Sequence, residues 1–270
     1  MRTPLTAGLL ALAALASAQE RPTILREVGF DQRLDEVVPG DIALRDETGR
    51  DVKLADYLGQ KPVVLALVYY ECPSLCTMTL NGLVSAMNAV SFDAGREYEV
   101  VTVSFEPRET PALATAKKDA YLKRYPRPGA AAGWHFLTGE PEQIARLTRA
   151  VGFRYTWDER IRQYAHPSGV VVLTPQGRIA RYLFGIEYAP KDLRFALVEA
   201  SQGRVGGVVD QAILYCYQYD PMTGKYGAAT MRILQVASLL TLGVLGTFIF
   251  TMWRRERRSA RAAHPGSASA

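Results

Sequence analysis

The sequence predicts an α/β fold in which helices cover a sheet, and three observations support this class. Continuous runs of apolar, β-branched and aromatic residues, such as PVVLALVYY at 62–70, are typical of strands buried on both faces. Segments in which apolar residues recur at helical spacing alternate with these runs along the chain. The region 19–224, which contains both kinds of segment, is long enough for one domain and short for two.

The first elements of this region are a hairpin, a strand and a helix. An Asp/Glu/Thr/Gly turn between two short alternating runs predicts a β-hairpin over 41–54. The apolar run at 62–70 predicts the central strand of the sheet. After it, the helical spacing of Leu80, Leu83, Val84 and Met87 predicts a helix that begins at Pro73.

The remaining elements continue the alternation and give the order β-α-β-α-β-α-β-β-α. Predicted strands lie in EYEVVTVSFE (97–106), in WHFLTG (134–139) and on both sides of a Pro-Gln-Gly turn in GVVVLTPQGRIARYLF (169–184). Predicted helices lie in TPALATAKKDAYLKRY (110–125), EPEQIARLTRAVG (140–152) and APKDLRFALVEAS (189–201). The first of these helices has a threonine cap and a proline in its first turn, and Gly152 closes the second.

The two ends of the chain predict export and a membrane anchor. Residues 1–18 have a basic start, a short apolar run and a small-x-small site, as in a cleaved signal peptide. Residues 233–253 contain no charged residue and match the length of a transmembrane helix. The arginine-rich segment 254–270 follows, so the positive-inside bias places this tail in the cytoplasm and the domain outside it.

The charge pattern argues against nucleic-acid binding. The formal net charge is +5, but much of it comes from the C-terminal tail and not from a basic patch interleaved with aromatic residues. The expected location is therefore the cell membrane, with a single span, a periplasmic domain and a cytoplasmic C-terminus.

Cys72 and Cys76 in YYECPSLC are two of the three cysteines in the chain, and three residues separate them. A disulfide-exchanging dithiol, a metal clip and a pair of buried small side chains all remain open at this spacing. Both sulfurs are expected beside the start of the first helix, at the rim of the sheet where α/β folds bind ligands. The helix dipole and free N–H groups there favour the thiolate, which redox exchange and metal binding both use.

Outside the basic tail the chain has two histidines, His135 and His166. His135 lies inside a predicted strand, where a packing role is expected. His166 lies in a Pro/Ser/Gly loop before the strand at 169–173, and this loop is expected to approach the first helix. Two thiolates and one imidazole suit Cu(I) in a three-coordinate site, or Cu(II) if an oxygen ligand joins, whereas structural zinc usually takes four ligands.

Together these motifs resemble the Sco/SenC family of copper-handling proteins along essentially the whole predicted domain. The matching segments are YYECPSLC, VSFEPRETP, WHFLTG and YAHPSGVVVLTPQGRI. The resemblance implies a thioredoxin-like fold, here with an N-terminal β-hairpin extension and one C-terminal transmembrane helix. It also implies one copper ion bound by Cys72, Cys76 and His166, and a role in assembling the CuA centre of cytochrome c oxidase.

The sequence departs from the family at several positions. Glu106 occupies the place of an aspartate, Thr77 that of a proline and Pro167 that of a common serine. None of the three is an expected metal ligand, but the departure leaves the role of the acidic position open. The family is usually tethered by an N-terminal span, which this chain replaces with a cleaved signal and a C-terminal helix.

Cys216 and Met222 lie between the predicted domain and the span. An odd extracytoplasmic cysteine indicates a partner thiol or a soft-metal role, and packing near the membrane interface with the surrounding tyrosines is an equal alternative.

Two functional classes follow from the cysteines. The first is a copper chaperone that delivers its ion to the oxidase subunit carrying CuA and turns over no substrate. The second is a thiol:disulfide oxidoreductase that reduces the cysteines of that copper site, with Cys72 as the nucleophile and Cys76 as the resolving thiol. The extra residue between the cysteines and the presence of His166 favour the chaperone, and a peroxidase of the same fold is a more distant alternative.

Overall fold

The computed structural model of the chain describes residues 27–205, 219–220, 225–226 and 228–262. It divides into two units, Met1–Gly206 and Gly207–Ala270. The predicted signal peptide at 1–18, Cys216 and Met222 lie outside the described residues.

The first unit alternates strands and helices, as predicted. Its strands are β1 (Gly29–Phe30), β2 (Ala43–Arg45), β3 (Asp51–Lys53), β4 (Val63–Val68), β5 (Glu99–Ser104), β6 (Trp134–Leu137), β7 (Phe153–Arg154), β8 (Thr156–Asp158), β9 (Gln163–Ala165), β10 (Gly169–Leu173) and β11 (Ile179–Phe184). Its helices are α1 (Leu75–Ala89), α2 (Pro111–Leu122), the single turn α3 (Ala130–Gly133), α4 (Pro141–Ala150) and α5 (Pro190–Ser201), with a 3₁₀ turn at Leu54–Tyr57.

The core of this unit is a five-stranded sheet in the order β11-β10-β4-β5-β6. Strands β4, β5 and β6 run parallel, and β10 pairs antiparallel with both β4 and β11. Every residue of β4 and β10 is buried, which explains why both read as continuous apolar runs. In the register of β10 and β4, Val170 lies opposite Ala66, so the start of β10 lies beside the end of β4.

Helix α1 packs closely on the rest of the fold at Gly82. A Cβ atom at this position would lie 1.9 Å from the carbonyl oxygen of Ile186, so only glycine allows the approach. The helix begins at Leu75 with Ser74 as its N-cap residue, two residues later than the predicted start at Pro73. Cys72 therefore lies in the turn before the helix, and Cys76 lies in its first turn.

Helices α2 and α4 form within the segments predicted at 110–125 and 140–152, and α2 ends three residues before its predicted segment does. Each has a proline in its first turn, where no intrahelical N–H bond is lost. After α4 the chain turns at Gly152, whose φ of +63° belongs to the left-handed region.

The predicted hairpin at 41–54 forms as β2 and β3, outside the main sheet. Two further pairings were not predicted. Strand β1 pairs with β7, and β8 pairs with β9 as a second hairpin immediately before His166. These strands are only two or three residues long, which is too short for a periodic signal.

The second unit contains the short strands β12 (Tyr219–Asp220) and β13 (Lys225–Tyr226) and the helix α6 (Ala228–Ala262). Within α6, Gln235–Arg255 is long and apolar enough to cross a membrane, and none of the hydrophobic window is buried by other parts of the structure. This segment overlaps the span predicted at 233–253.

Candidate metal centre

Three side chains that were predicted as ligands meet at one end of β4. Cys72 lies in the turn after β4, Cys76 in the first turn of α1, and His166 between β9 and β10. The antiparallel pairing of β10 with β4 brings the histidine to the cysteines across 90 residues of sequence.

The potential ligand atoms of the three residues all lie within 4.8 Å of one another. Cys76 Sγ lies 3.2 Å from His166 Nε2. The exposed fractions are 6% for Cys72, 0% for Cys76 and 4% for His166, so the group is almost sealed from solvent. Within the described residues, Cys72, Cys76 and His166 form the only group of three or more Cys, His, Asp or Glu side chains that could hold a metal ion.

Backbone N–H groups point at both sulfurs. The N–H of Cys76, in the first turn of α1, donates to Cys72 Sγ at 3.4 Å, and the N–H of Tyr69 donates to Cys76 Sγ at 3.3 Å. The first N–H groups of a helix have no intrahelical acceptor, and a sulfur that accepts one of them is stabilised as the anion.

The orientation of His166 is set by its other ring nitrogen. Nδ1 lies 2.9 Å from the carbonyl oxygen of Pro167. Because a carbonyl oxygen only accepts, Nδ1 carries the hydrogen, and Nε2 presents its lone pair to the cysteines. Since the acceptor is a backbone atom, the contact does not depend on the side chain at position 167.

Aromatic rings enclose the imidazole. The ring centroids of Tyr69, Phe105 and Phe153 lie 6.0, 5.3 and 6.2 Å from that of His166. Tyr164 of β9 packs on Tyr69 and Phe105, so the unpredicted β8–β9 hairpin contributes to this wall. The enclosure keeps water away and strengthens electrostatic interactions inside it.

The two cysteines differ in acidity. A hydrogen bond from the Cys76 side chain, supported by the N–H groups of Cys76 and Ser74, lowers the pKa of Cys72 to about 3 against the effect of burial. Burial, followed by the contact with Cys72, raises the pKa of Cys76 above that of an ordinary thiol. The sequence predicted a thiolate-favouring environment for both sulfurs. For Cys76 this was wrong, because that sulfur is buried inside the helix turn.

The donor set fits a soft metal ion. Two sulfurs and one imidazole nitrogen are the ligands that Cu(I) takes in three-coordinate sites, and a fourth oxygen ligand would extend the set to Cu(II). Binding has to displace the proton of Cys76, since thiolates are the ligating form.

The other acidic and imidazole candidates lie apart from this group. His135 on the edge strand β6 has its Nε2 3.4 Å from Glu99 Oε2, and its ring packs on Tyr57 with the centroids 4.4 Å apart, as expected of a packing histidine. Glu106 accepts two hydrogen bonds from the Arg108 guanidinium, and this contact is the main cause of its lowered pKa. Thr77 Oγ1 donates to the Cys72 carbonyl at 3.3 Å.

Sequence reasoning missed one carboxylate beside the site. Glu109 is buried and accepts the N–H groups of Tyr70 and Glu71, which lead into Cys72. No local pattern marks this residue. Its position in the run that follows β5, the strand parallel to β4, is the only available signal.

The fold and the site together define a thioredoxin-like domain with a buried Cys-Cys-His group that is able to bind a metal ion. The sequence profile of the SCO1/SenC family matches residues 31–198, which is more than half of the chain. The protein therefore belongs to the SCO1/SenC family, and the resemblance seen in its motifs is confirmed.

Solved structures share the fold. An Aquifex aeolicus VF5 protein with a proposed role in electron transfer is 28% identical, with 63% of this chain and 95% of that chain covered and a TM-score of 0.55. Copper-bound ScoI from Arabidopsis thaliana is 20% identical, with coverages of 62% and 99% and a TM-score of 0.50. A SCO1/SenC family lipoprotein from Bacillus anthracis is 15% identical, with coverages of 64% and 99% and a TM-score of 0.51. No curated protein matches the chain in a sequence search.

Proposed function

We propose that this protein is a membrane-tethered copper chaperone that binds one copper ion through Cys72, Cys76 and His166. Its cargo would be delivered to the cytochrome c oxidase subunit that carries the CuA site. The observation that carries the proposal is the convergence of two sulfurs and a tautomerically fixed imidazole within 4.8 Å in a buried pocket.

The electrostatics of the site support a cargo that is bound and released. One thiolate is present before the metal arrives, because Cys72 is ionised at neutral pH. The second sulfur becomes a ligand only when it loses its proton. The free energy of copper binding must therefore also offset the cost of deprotonating the buried Cys76 thiol. Such a site should therefore bind its copper ion less tightly than a site with two preformed thiolates.

The proposed location rests on the ends of the chain. Residues 1–18 would direct export and be removed, residues 233–253 would span the membrane, and the basic tail 254–270 would stay in the cytoplasm. The copper-binding domain would then face the periplasm, and tethering would raise its effective concentration near a membrane-embedded oxidase. Reporter fusions after Ala270 test this orientation, and periplasmic activity of such a fusion would contradict it.

Copper binding is tested by titrating the detergent-solubilised full chain with Cu(I) under reducing conditions and again after oxidation of the cysteines. The reduced protein is expected to take up about one ion per chain, and the disulfide form none, because a disulfide removes both anionic sulfurs. Uptake by the oxidised form would place the site elsewhere, with Cys216 as the first residue to examine.

A second candidate function is thiol:disulfide exchange on the cysteines of the oxidase copper site. The observation that favours it is the low pKa of Cys72 beside a protonated Cys76, which is the arrangement of an attacking and a resolving thiol. In this mechanism Cys72 attacks one sulfur of the target disulfide and expels the other. Cys76 then attacks Cys72 of the mixed disulfide, which releases a reduced target and leaves a Cys72–Cys76 disulfide.

His166→Ala separates the two functions. If copper delivery is the function, the oxidase CuA content of cells with His166→Ala should fall as far as that of cells with Cys72→Ser, at matched protein levels. If exchange is the function, both sulfurs survive the substitution and CuA content should stay normal. Exchange rate alone does not decide, because removal of the imidazole also changes the surroundings of both sulfurs.

A further inference from the structure

We propose that Glu109 and Lys117 are positioning residues that hold the Tyr70–Cys72 segment and thereby fix the Cys72 sulfur relative to Cys76 and His166. For the copper readouts the proposal rests on the proposed function, whereas its copper-free readouts do not. Glu109 and Lys117 together form what we call the loop clamp.

Glu109 uses both of its carboxylate oxygens on this segment. Oε2 accepts the N–H of Tyr70 at 2.7 Å, and Oε1 accepts the N–H of Glu71 at 2.8 Å. The hydroxyl of Ser104 donates to Oε2 at 2.5 Å. Burying a carboxylate is costly unless hydrogen bonds compensate it, and these three donors offset part of that cost. The buried carboxyl group is therefore tied to the loop backbone.

Lys117 binds the same segment through the carbonyl group of Tyr70. Its Nζ donates to the carbonyl oxygen of Tyr70 at 2.7 Å. Both the N–H and the C=O of Tyr70 are thus bound by side chains that lie on or just before α2, not by strand pairing.

The segment needs such support because the sheet stops before it. The parallel ladder between β4 and β5 continues as far as the hydrogen bond from Phe105 N–H to the Val68 carbonyl. Beyond this point Cys72 N–H donates to the Tyr69 carbonyl at 3.3 Å within the turn. Cys76, in contrast, is carried by the helical backbone of α1. A change in the clamp should therefore move Cys72 and leave Cys76 in place.

A neighbouring pair provides a matched control. Lys118, the next residue of α2, forms an ion pair with Glu47, and Glu47 Oε2 accepts the N–H of Phe136 at 3.2 Å. This pair is also largely buried and also joins a carboxylate, a lysine and a backbone N–H. It holds β6, not the cysteine turn, so it shares the chemistry of the clamp without its target.

The test compares Glu109→Gln and Lys117→Met with Glu47→Gln and Lys118→Met in the detergent-solubilised full chain. Three readouts are measured: Cu(I) affinity by chelator competition, the thiolate-to-copper absorption of the Cu(II) form, and, without copper, the dithiol–disulfide equilibrium against glutathione. Both clamp variants should lose about tenfold or more in Cu(I) affinity, as is typical when a residue that orients a ligand is removed. They should also shift the absorption band and the glutathione equilibrium.

The control variants should lose comparable thermal stability and keep all three readouts at wild-type values. Lys117→Arg retains a donor toward Tyr70 and should restore most of the affinity. If the clamp variants lose stability but match the controls in the three readouts, the role of Glu109 and Lys117 is structural only and the proposal fails. Should Glu109→Gln not fold, Lys117→Met against Lys118→Met decides alone.

The copper-free readout separates this proposal from the proposed function. If the wild-type chain bound no copper, the chaperone would be rejected, while a glutathione equilibrium shifted in the clamp variants and unchanged in the controls would still support the clamp.

Discussion

The turn that carries Cys72 and the helix turn that carries Cys76 serve the same centre in different ways. Cys72 lies on a segment held by side chains, accepts a helical N–H and is a thiolate. Cys76 lies on a helix whose inner face is buried and keeps its proton at neutral pH. The comparison shows that two identical residues four positions apart can have opposite pKa shifts, because the Cys72 sulfur accepts a hydrogen bond from the Cys76 side chain, whereas burial raises the pKa of Cys76.

The largest expected effect is the loss of tight Cu(I) binding when either sulfur is removed. In this respect the two cysteines should behave alike, although their surroundings differ. Cys72→Ser and Cys76→Ser each replace a soft thiolate with a hydroxyl that is a poor ligand for Cu(I). Chelator competition with purified variants measures the loss. Tight binding retained by either variant would show that the three-ligand site is wrong.

Substitutions beside the two cysteines should differ in how much they lower the free energy of unfolding. Leu80→Ala, one turn after Cys76, removes a fully buried side chain and should lower the free energy of unfolding by about 2–5 kcal/mol. Glu71→Ala, next to Cys72, removes an exposed side chain and should change it by no more than about 0.5 kcal/mol. Urea unfolding of the metal-free chain, followed by a signal from the first unit, measures both, and equal losses would contradict the contrast between a rigid helix and a held loop.

The difference in acidity should appear in alkylation rates. In the reduced, copper-free protein Cys72 should react with iodoacetamide at a rate that stays almost flat between about pH 5 and pH 8, because its thiolate is fully formed in that range. An ordinary thiol would gain roughly tenfold per pH unit over the same range. Mass spectrometry of the labelled peptide, with Cys72→Ser as the control, distinguishes the two sulfurs. A steep rise for Cys72 would mean that its pKa is not lowered.

The smallest expected effect concerns the link between the two regions. Thr77→Val removes the 3.3 Å hydrogen bond from Oγ1 to the Cys72 carbonyl and keeps the shape of the side chain. The cost should be about 0.5–1.5 kcal/mol of stability, with Cu(I) affinity close to wild type because the loop clamp still holds the turn. A large loss of affinity would assign to Thr77 the positioning role proposed for Glu109 and Lys117.

Much of the fold could be predicted because its signals are local. The buried strands β4, β5 and β10 read as apolar runs, and prolines mark the starts of α2, α4 and α5. The short pairs β1–β7 and β8–β9 could not be predicted, since their few residues are specified by packing against distant aromatic side chains.

The sequence predicts which residues form the site, but not their protonation or their hydrogen-bond partners. Cysteine spacing and an isolated histidine name the three residues, and the strand order explains how they meet. The tautomer of His166 is set by the carbonyl of the next residue, Pro167. The backbone geometry that brings this carbonyl to Nδ1 cannot be read from the sequence. The protonation of Cys76 depends on burial, and the reach of Glu109 to the cysteine turn depends on tertiary contacts 38 and 39 residues apart.

The pairing of β10 with β4 also sets a timetable for synthesis. The ribosome makes Cys72 and Cys76 first, and His166 follows Cys76 by 90 residues. At ~5–20 residues per second this interval lasts roughly 5–20 s. During that time the two thiols exist without their histidine partner and without the strand that closes the pocket. The three-residue centre can therefore form only after translation has passed β10, when most of the domain has already been made.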